Sequence, residues 1–215
     1  MAGYLSDVNI CSNASPSRLY KIIGNVFPSL FTSIGDSSQN ICVDKNGVVW
    51  ASNSNSGTTS KIINGVKVLD IITPSPTGIC VDGNNVVWVA SWIGACIYKI
   101  DNDVVTTFPI GACSNICADK DNAVWVVKSA TINKIVNGIE VLSAPSANCI
   151  GICCDKNNVI WVANWSGNYV SKFVNGMKIL DIPVGTGPRG ICIDRNNAVW
   201  VVSGNYISKD RKSVV

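Results

Sequence analysis

The chain has no histidine, a single glutamate (Glu140) and only 14% charged residues over its 215 positions. No chemistry that needs an imidazole is open to it. It also lacks any apolar run approaching the roughly 18 residues a membrane-spanning helix requires. Met1 to Ile10 holds no basic segment followed by an apolar stretch, so no export signal is expected. The formal net charge of +3 is spread thinly, with Lys209, Arg211 and Lys212 as the only cluster. That distribution gives no electrostatic footprint for a phosphate backbone, so neither nucleic acid nor membrane is an expected partner.

What is abundant is apolar surface. Hydrophobic residues make up 47% of the chain, which excludes disorder and calls for a large buried core. Ten cysteines accompany that core. Without an export signal they are expected to be reduced thiols, in a protein that is cytoplasmic or virion-associated. Asn13-Ala14-Ser15 and Asn164-Trp165-Ser166 match the glycosylation pattern, which matters only in a secretory compartment.

The dominant feature is a repeat. The pattern Ile-Cys-x-Asp followed six residues later by Trp occurs at 41–50, 79–88, 116–125, 152–161 and 191–200, with successive Trp residues 38, 37, 36 and 39 apart. Each unit reads as a short apolar strand, an Asp- and Asn-rich turn, a second strand, a loop, and a hairpin starting at Lys-Ile. The hairpins turn on Asn64-Gly65, Asn102-Asp103, Asn137-Gly138 and Asn175-Gly176, residues that accept a positive φ. Gly24-Asn25 and Asp210-Arg211 fit the same slot and raise the count to six, although the first unit lacks the Asp-Lys-Asn turn.

The second strand is apolar at consecutive positions, Val86 to Ala90, as expected when both faces of a sheet are covered. Four strands per 36–39 residues suit a radial array. The expected fold is all-β, a single six-bladed β-propeller of four-stranded antiparallel blades, with repeat units at about 1–38, 39–76, 77–112, 113–148, 149–187 and 188–215. How the terminal blades close the ring is left open, with Lys212 to Val215 as a candidate last strand.

Pro76 to Asp82, then Asn85 to Ala90, Tyr98-Lys99-Ile100 and Thr107 to Gly111, resemble the repeat of the NHL and virginiamycin B lyase-like propellers over residues 39–215. For the lyases the resemblance implies a catalytic histidine with a magnesium site, and this chain has no histidine. For gluconolactonase-like members it implies a divalent metal held by Glu, Asn and Asp in the central channel. Glu140 lies two residues past the Asn137-Gly138 turn, on the wrong strand for that role.

The remaining constellations have local explanations. The repeated aspartates (Asp44, Asp82, Asp119, Asp155, Asp194) open turns by bonding nearby backbone, which accounts for them without a metal. Cys42, Cys80, Cys117, Cys153 and Cys192 are small core fillers on the innermost strand. Cys113 and Cys149 stand in equivalent loops of neighbouring blades and are close enough in principle to interact. One zinc cannot collect them together with the core cysteines, because four residues of strand span about 13 Å. Gly185 to Gly190 spells a dinucleotide motif but precedes a strand instead of a helix. The repeated lysines (Lys21, Lys61, Lys99, Lys134, Lys172, Lys209) are expected along the blade surface with their heads in water.

Binding is expected where the frame varies. The loops between second and third strands differ in every unit, while the opposite turns are near-uniform. Trp92 and Trp165 fall in these loops, with Tyr169 and Tyr206 and with Asn53, Asn164, Asn168 and Asn205 nearby; Arg18 and Arg189 add possible anion contacts. The expectation is a non-catalytic binding or scaffold module without a cofactor, presenting this face to a glycan or protein partner, either on its own or within a larger assembly such as a phage particle. A metal-dependent lyase or lactonase-type hydrolase is the alternative.

Overall fold

The structure is a computed structural model and describes residues 8–11, 17–22, 29–146 and 148–209, with side chains from residue 32 onward. The chain is an all-β propeller built from antiparallel sheets. An N-terminal sheet holds β1 (Val8–Cys11), β2 (Ser17–Ile22) and β3 (Ser29–Gly35). Four blades of four strands follow. They are β4–β7 (Ser38–Val43, Val49–Asn53, Thr58–Ile63, Val66–Ile72) and β8–β11 (Pro76–Val81, Val87–Ser91, Cys96–Asp101, Val104–Phe108). Next come β12–β15 (Asn115–Ala118, Val124–Val127, Thr131–Val136, Ile139–Pro145) and β16–β19 (Cys149–Cys154, Ile160–Asn164, Tyr169–Val174, Met177–Pro183). The fifth blade has three described strands, β20 (Pro188–Ile193), β21 (Val199–Ser203) and β22 (Tyr206–Lys209).

Five blades therefore replace the expected six. Only they carry the Asp-to-Trp unit; the N-terminal sheet lacks that unit, has three strands among the described residues, and packs against β4–β7 as a flanking layer. The Gly24-Asn25 and Asp210-Arg211 turns and the strand expected at Lys212 to Val215 lie outside the described residues.

Each Asp fixes its own turn. In the third blade Asp119 Oδ1 accepts from the N–H groups of Asp121 (3.0 Å) and Ala123 (2.9 Å), while Oδ2 accepts from Trp125 Nε1 (3.0 Å). Asp44, Asp82, Asp155 and Asp194 repeat the pattern toward Trp50, Trp88, Trp161 and Trp200. The residue three places after each Asp (Gly47, Asn85, Asn122, Asn158, Asn197) has a positive φ, the conformation Gly and Asn tolerate best. The hairpin turns at 64–65, 102–103, 137–138 and 175–176 have both residues at positive φ, as expected for the tight type that matches strand twist.

The core lies between blades. Trp125, Val127 and Ile132 of the third blade, for instance, are covered by Ile152, Ile160, Val162 and Phe173 of the fourth. The inner strands come close enough that a β-carbon on Gly151 would stand 2.2 Å from the Arg189 carbonyl, and one on Gly78 would stand 2.7 Å from the Asn115 Cα. Asparagine staples add a polar link at three seams: Lys45, Lys120 and Lys156 donate their backbone N–H to Asn85, Asn158 and Asn197 Oδ1 of the next blade. The second seam lacks the staple, with Gly83 in the lysine position and Asn122 Oδ1 unpartnered among the described residues.

The repeated lysines are a correction. Lys61, Lys134, Lys172 and Lys209 place their ammonium groups 5.3, 5.4, 5.3 and 4.7 Å from the ring centroids of Trp50, Trp125, Trp161 and Trp200. The strand register puts each Lys opposite its Trp, so the cation sits on the indole face in place of open water. In the second blade Phe108 stacks on Trp88 instead, and Lys99 pairs with Asp101 at 3.0 Å.

Candidate functional site

A cleft of about 300 Å³ opens at the loop end of the blades, lined by Trp92, Ser114, Ser129, Asn148, Cys149, Ile150 and Trp165. Trp92 comes from the second blade's β9–β10 loop, Ser129 from the third blade's β13–β14 loop and Trp165 from the fourth blade's β17–β18 loop. Ser114 and Asn148 stand just before the inner strands β12 and β16. Both tryptophans are 45% exposed.

Each tryptophan is held by its own loop. Beside Trp92, Ser91 Oγ accepts from the Gly94 N–H (3.0 Å) and donates to the Pro74 carbonyl (2.7 Å), closing a tight turn. Trp165 donates its backbone N–H to the Asn148 carbonyl (3.0 Å), and Asn148 Nδ2 reaches Ser166 Oγ (2.8 Å). The Arg189 guanidinium lies 5.6 Å from the Trp165 ring centroid, and Asn168 Oδ1 accepts from Gly187 N–H (2.9 Å) to hold the neighbouring connection. Of the residues expected on this face, the fold thus gathers Trp92, Trp165, Asn168 and Arg189.

The others go elsewhere. Asn53 and Asn164 are fully buried. Asn164 accepts from Ser146 Oγ (3.0 Å) and donates to Ser171 Oγ (2.9 Å), which passes the chain on to Asp181 and Lys178; Asn53, Ser60, Asp70 and Lys67 form the same relay in the first blade. Both asparagines close strand two and point into the blade, so a ligand cannot reach them. Tyr169 is half-buried beneath Lys178, whose ammonium is 5.9 Å from its ring centroid. Asn205 and Tyr206 are exposed on the fifth blade, outside the cleft lining. Arg18 lies on β2, among residues whose side chains are not described.

Ser114, Ser129, Asn148 and Ile150 were missed by sequence reasoning. The signal was their place in connections that share an end of the array with the tryptophan loops. The interaction considered between Cys113 and Cys149 does not form: both thiols are free, Cys113 Sγ bonding the Gly111 carbonyl (3.1 Å) and Cys149 Sγ the Lys128 carbonyl (3.5 Å). Burial pushes the Cys149 thiol above its ordinary value, so it lines the cleft as a weak nucleophile.

Among solved structures, a streptogramin B lyase superposes with a TM-score of 0.85 at 20% identity, covering 97% of this chain and 76% of its own. Virginiamycin B lyase from Staphylococcus aureus gives 0.81 at 16% identity, covering 100% of this chain and 84% of its own. The fold is that of the virginiamycin B lyase-like propellers. A gluconolactonase from Xanthomonas campestris is more distant, at a TM-score of 0.67 and 11% identity, covering 93% of this chain and 80% of its own. No family model and no curated protein matches the chain.

The divalent metal that this fold family implies does not fit the residues present. Among the described residues no three His, Cys, Asp or Glu side chains gather in a geometry that could hold an ion. The repeated aspartates are occupied by their turn N–H groups and indoles, and Glu140 accepts from Lys128 (2.8 Å) and Asn133 (2.7 Å) out on β15. Lys128 holds the Glu140 carboxyl below its usual range, as a fixed anion in a surface network. Among the described residues no helix is long and apolar enough to cross a membrane.

Proposed function

We propose that the chain is a non-catalytic carbohydrate-binding body, with the cleft between Trp92 and Trp165 as its binding site. The supporting observation is the pair of half-exposed indoles, brought from the second and fourth blades to one cleft whose remaining lining is mostly small and polar. A sugar ring offers an apolar face for stacking and hydroxyls for amides and serines, and Ser114, Ser129 and Asn148 supply that complement here. Turns held by backbone and side-chain hydrogen bonds keep the indoles in place, which lowers the entropy lost on binding. The setting we propose is cytoplasmic or aboard a larger assembly such as a phage particle, where a rigid propeller serves as the mount for this face.

A catalytically inactive histidine-to-alanine variant of the S. aureus virginiamycin B lyase is known with quinupristin, so that enzyme depends on a side chain this sequence does not contain. The lyase or lactonase alternative has the fold in its favour and no matching donor set among the described residues.

The test is a glycan array probed with the wild type, Trp92→Ala and Trp165→Ala. Each variant is expected to weaken binding by about tenfold, equivalent to about 1.4 kcal/mol of stacking. An array with no hits, or hits unchanged in both variants, would reject the carbohydrate reading; a peptide partner would then be the class to pursue.

A further inference from the structure

The five blades repeat one arrangement of cations, and the second blade breaks it twice. A lysine or arginine follows the turn Asp in four blades, as Lys45, Lys120, Lys156 and Arg195, and the second blade has Gly83 there. At the first and fourth seams this lysine crosses to the next blade, Lys45 Nζ donating to the Gly83 carbonyl and Lys156 Nζ to the Arg195 carbonyl. The matching acceptor at the second seam is the Lys120 carbonyl, and position 83 has no side chain to reach it. Strand three supplies the other cation. Trp50, Trp125, Trp161 and Trp200 each carry an ammonium on the ring, whereas Phe108 stacks on Trp88 with centroids 6.0 Å apart and Lys99 turns to Asp101.

A cavity of about 420 Å³ opens at this seam. Asp82 and Asn84, which flank Gly83, line one side, Asp121 and Asn122 of the third blade line the other, and Trp88 and Phe108 form an aromatic wall. Its charges are Asp82 and Asp121 against Lys99, which Asp101 already holds at 3.0 Å. Asp82 is 6% exposed, and its carboxylate takes hydrogen bonds from neutral donors, the N–H groups of Asn84 (2.8 Å) and Val86 (3.0 Å) and the Trp88 indole (2.9 Å). Asp121 stands where the other blades have Asn46, Asn84, Asn157 and Asn196. The second seam has thus lost a lysine and gained a carboxylate.

We propose that this cavity binds a primary alkylammonium group, the chemistry that lysines bring to the other seams. Asp121, the Lys120 carbonyl and the Asn84 amide oxygen are the acceptors for its three donors. The alkyl stem lies along Trp88 and Phe108, gaining apolar and cation–π contact. The guest offsets the carboxylates as Lys134 offsets Asp119 at 3.0 Å in the next blade. A metal ion is a poorer fit, because no trio of acidic or thiol groups gathers among the described residues. A free polyamine and a lysine side chain of a partner protein both carry this group.

Isothermal titration calorimetry of the full chain at neutral pH tests this with spermidine, Nα-acetyl-lysine amide and the neutral Nε-acetyl form of that amide. A lysine amide that binds assigns the site to a partner's side chain, and binding of spermidine alone assigns it to a free polyamine. Asp121→Asn, which places the residue of the other four blades, is expected to fold and to weaken binding about tenfold. Gly83→Lys is expected to restore the missing side chain, raise Tm and abolish binding. Binding of neither amine, equal binding of the Nε-acetyl form, or unchanged affinity in Asp121→Asn or Gly83→Lys would each overturn the inference. The cavity is at the turn end of the blades, opposite the Trp92–Trp165 cleft, so glycan binding succeeds or fails independently.

Discussion

Replacing Asp119 with alanine isolates what the repeated turn contributes. The carboxylate side chain is 1% exposed, and its loss strands the N–H groups of Asp121 and Ala123, the indole of Trp125 and the ammonium of Lys134 at 3.0 Å. Hydrogen bonds to a charged acceptor contribute about 1.5–3 kcal/mol each, but the stranded backbone groups recover water in part because the turn is at the surface. The lysine is partly exposed and its share is small. A net loss of about 3–5 kcal/mol is expected, or roughly 6–20 °C in Tm for a domain of this size. Asp44 makes the same bonds in a more open setting, with its indole contact stretched to 3.4 Å, so Asp44→Ala should cost about 1–2 kcal/mol. Asp119→Asn should lie close to the alanine variant, because its amide would set a donor against the Trp125 N–H. Calorimetry on the three variants decides the matter. Equal losses at 44 and 119, or an asparagine variant as stable as wild type, would refute the argument that the buried Asp–Trp bond dominates.

Asn164→Ala should destabilise by about 2–3 kcal/mol in a thermal melt, because Ser146 and Ser171 lose their buried partner, and should leave glycan affinity unchanged. Weakened affinity at unchanged stability would return that residue to the binding face. The Trp200 indole and two backbone N–H groups hold the Asp194 carboxyl down to about 2. Because its folded pKa is depressed, its contribution is complete above the unfolded carboxylate range near 4 and is lost as the pH falls toward about 2. Asp194→Asn should therefore lower Tm at neutral pH and converge with wild type near pH 2; curves that stay parallel throughout would contradict this.

The blades were legible because their determinants are close in sequence. Asp82, Asn85 and Trp88 define a turn within seven residues, and Asn175-Gly176 announces its hairpin alone, so each unit could be read without its neighbours. The first unit could not, because it has no such signature, and the count of six rested on Gly24-Asn25 and Asp210-Arg211, turn pairs near the two ends of the chain. The lysines were misjudged for a different reason: the contact of Lys134 with Trp125 depends on cross-strand register, which spacing along the chain does not reveal. Asn53 and Asn164 looked like loop polar groups but end a strand whose side faces a serine on the adjacent strand, where burial is affordable because every donor is met. Trp92 and Trp165 were recognised singly. Their meeting across an intervening blade required the curvature of the array.

Because the apolar clusters straddle neighbouring sheets, no blade owns a complete interior. During synthesis each blade emerges with one side wet and gains its cover only when the next 36–39 residues have left the ribosome. A pause between repeats would prolong that interval, making the spacing of slow codons a determinant of yield that the folded molecule no longer displays.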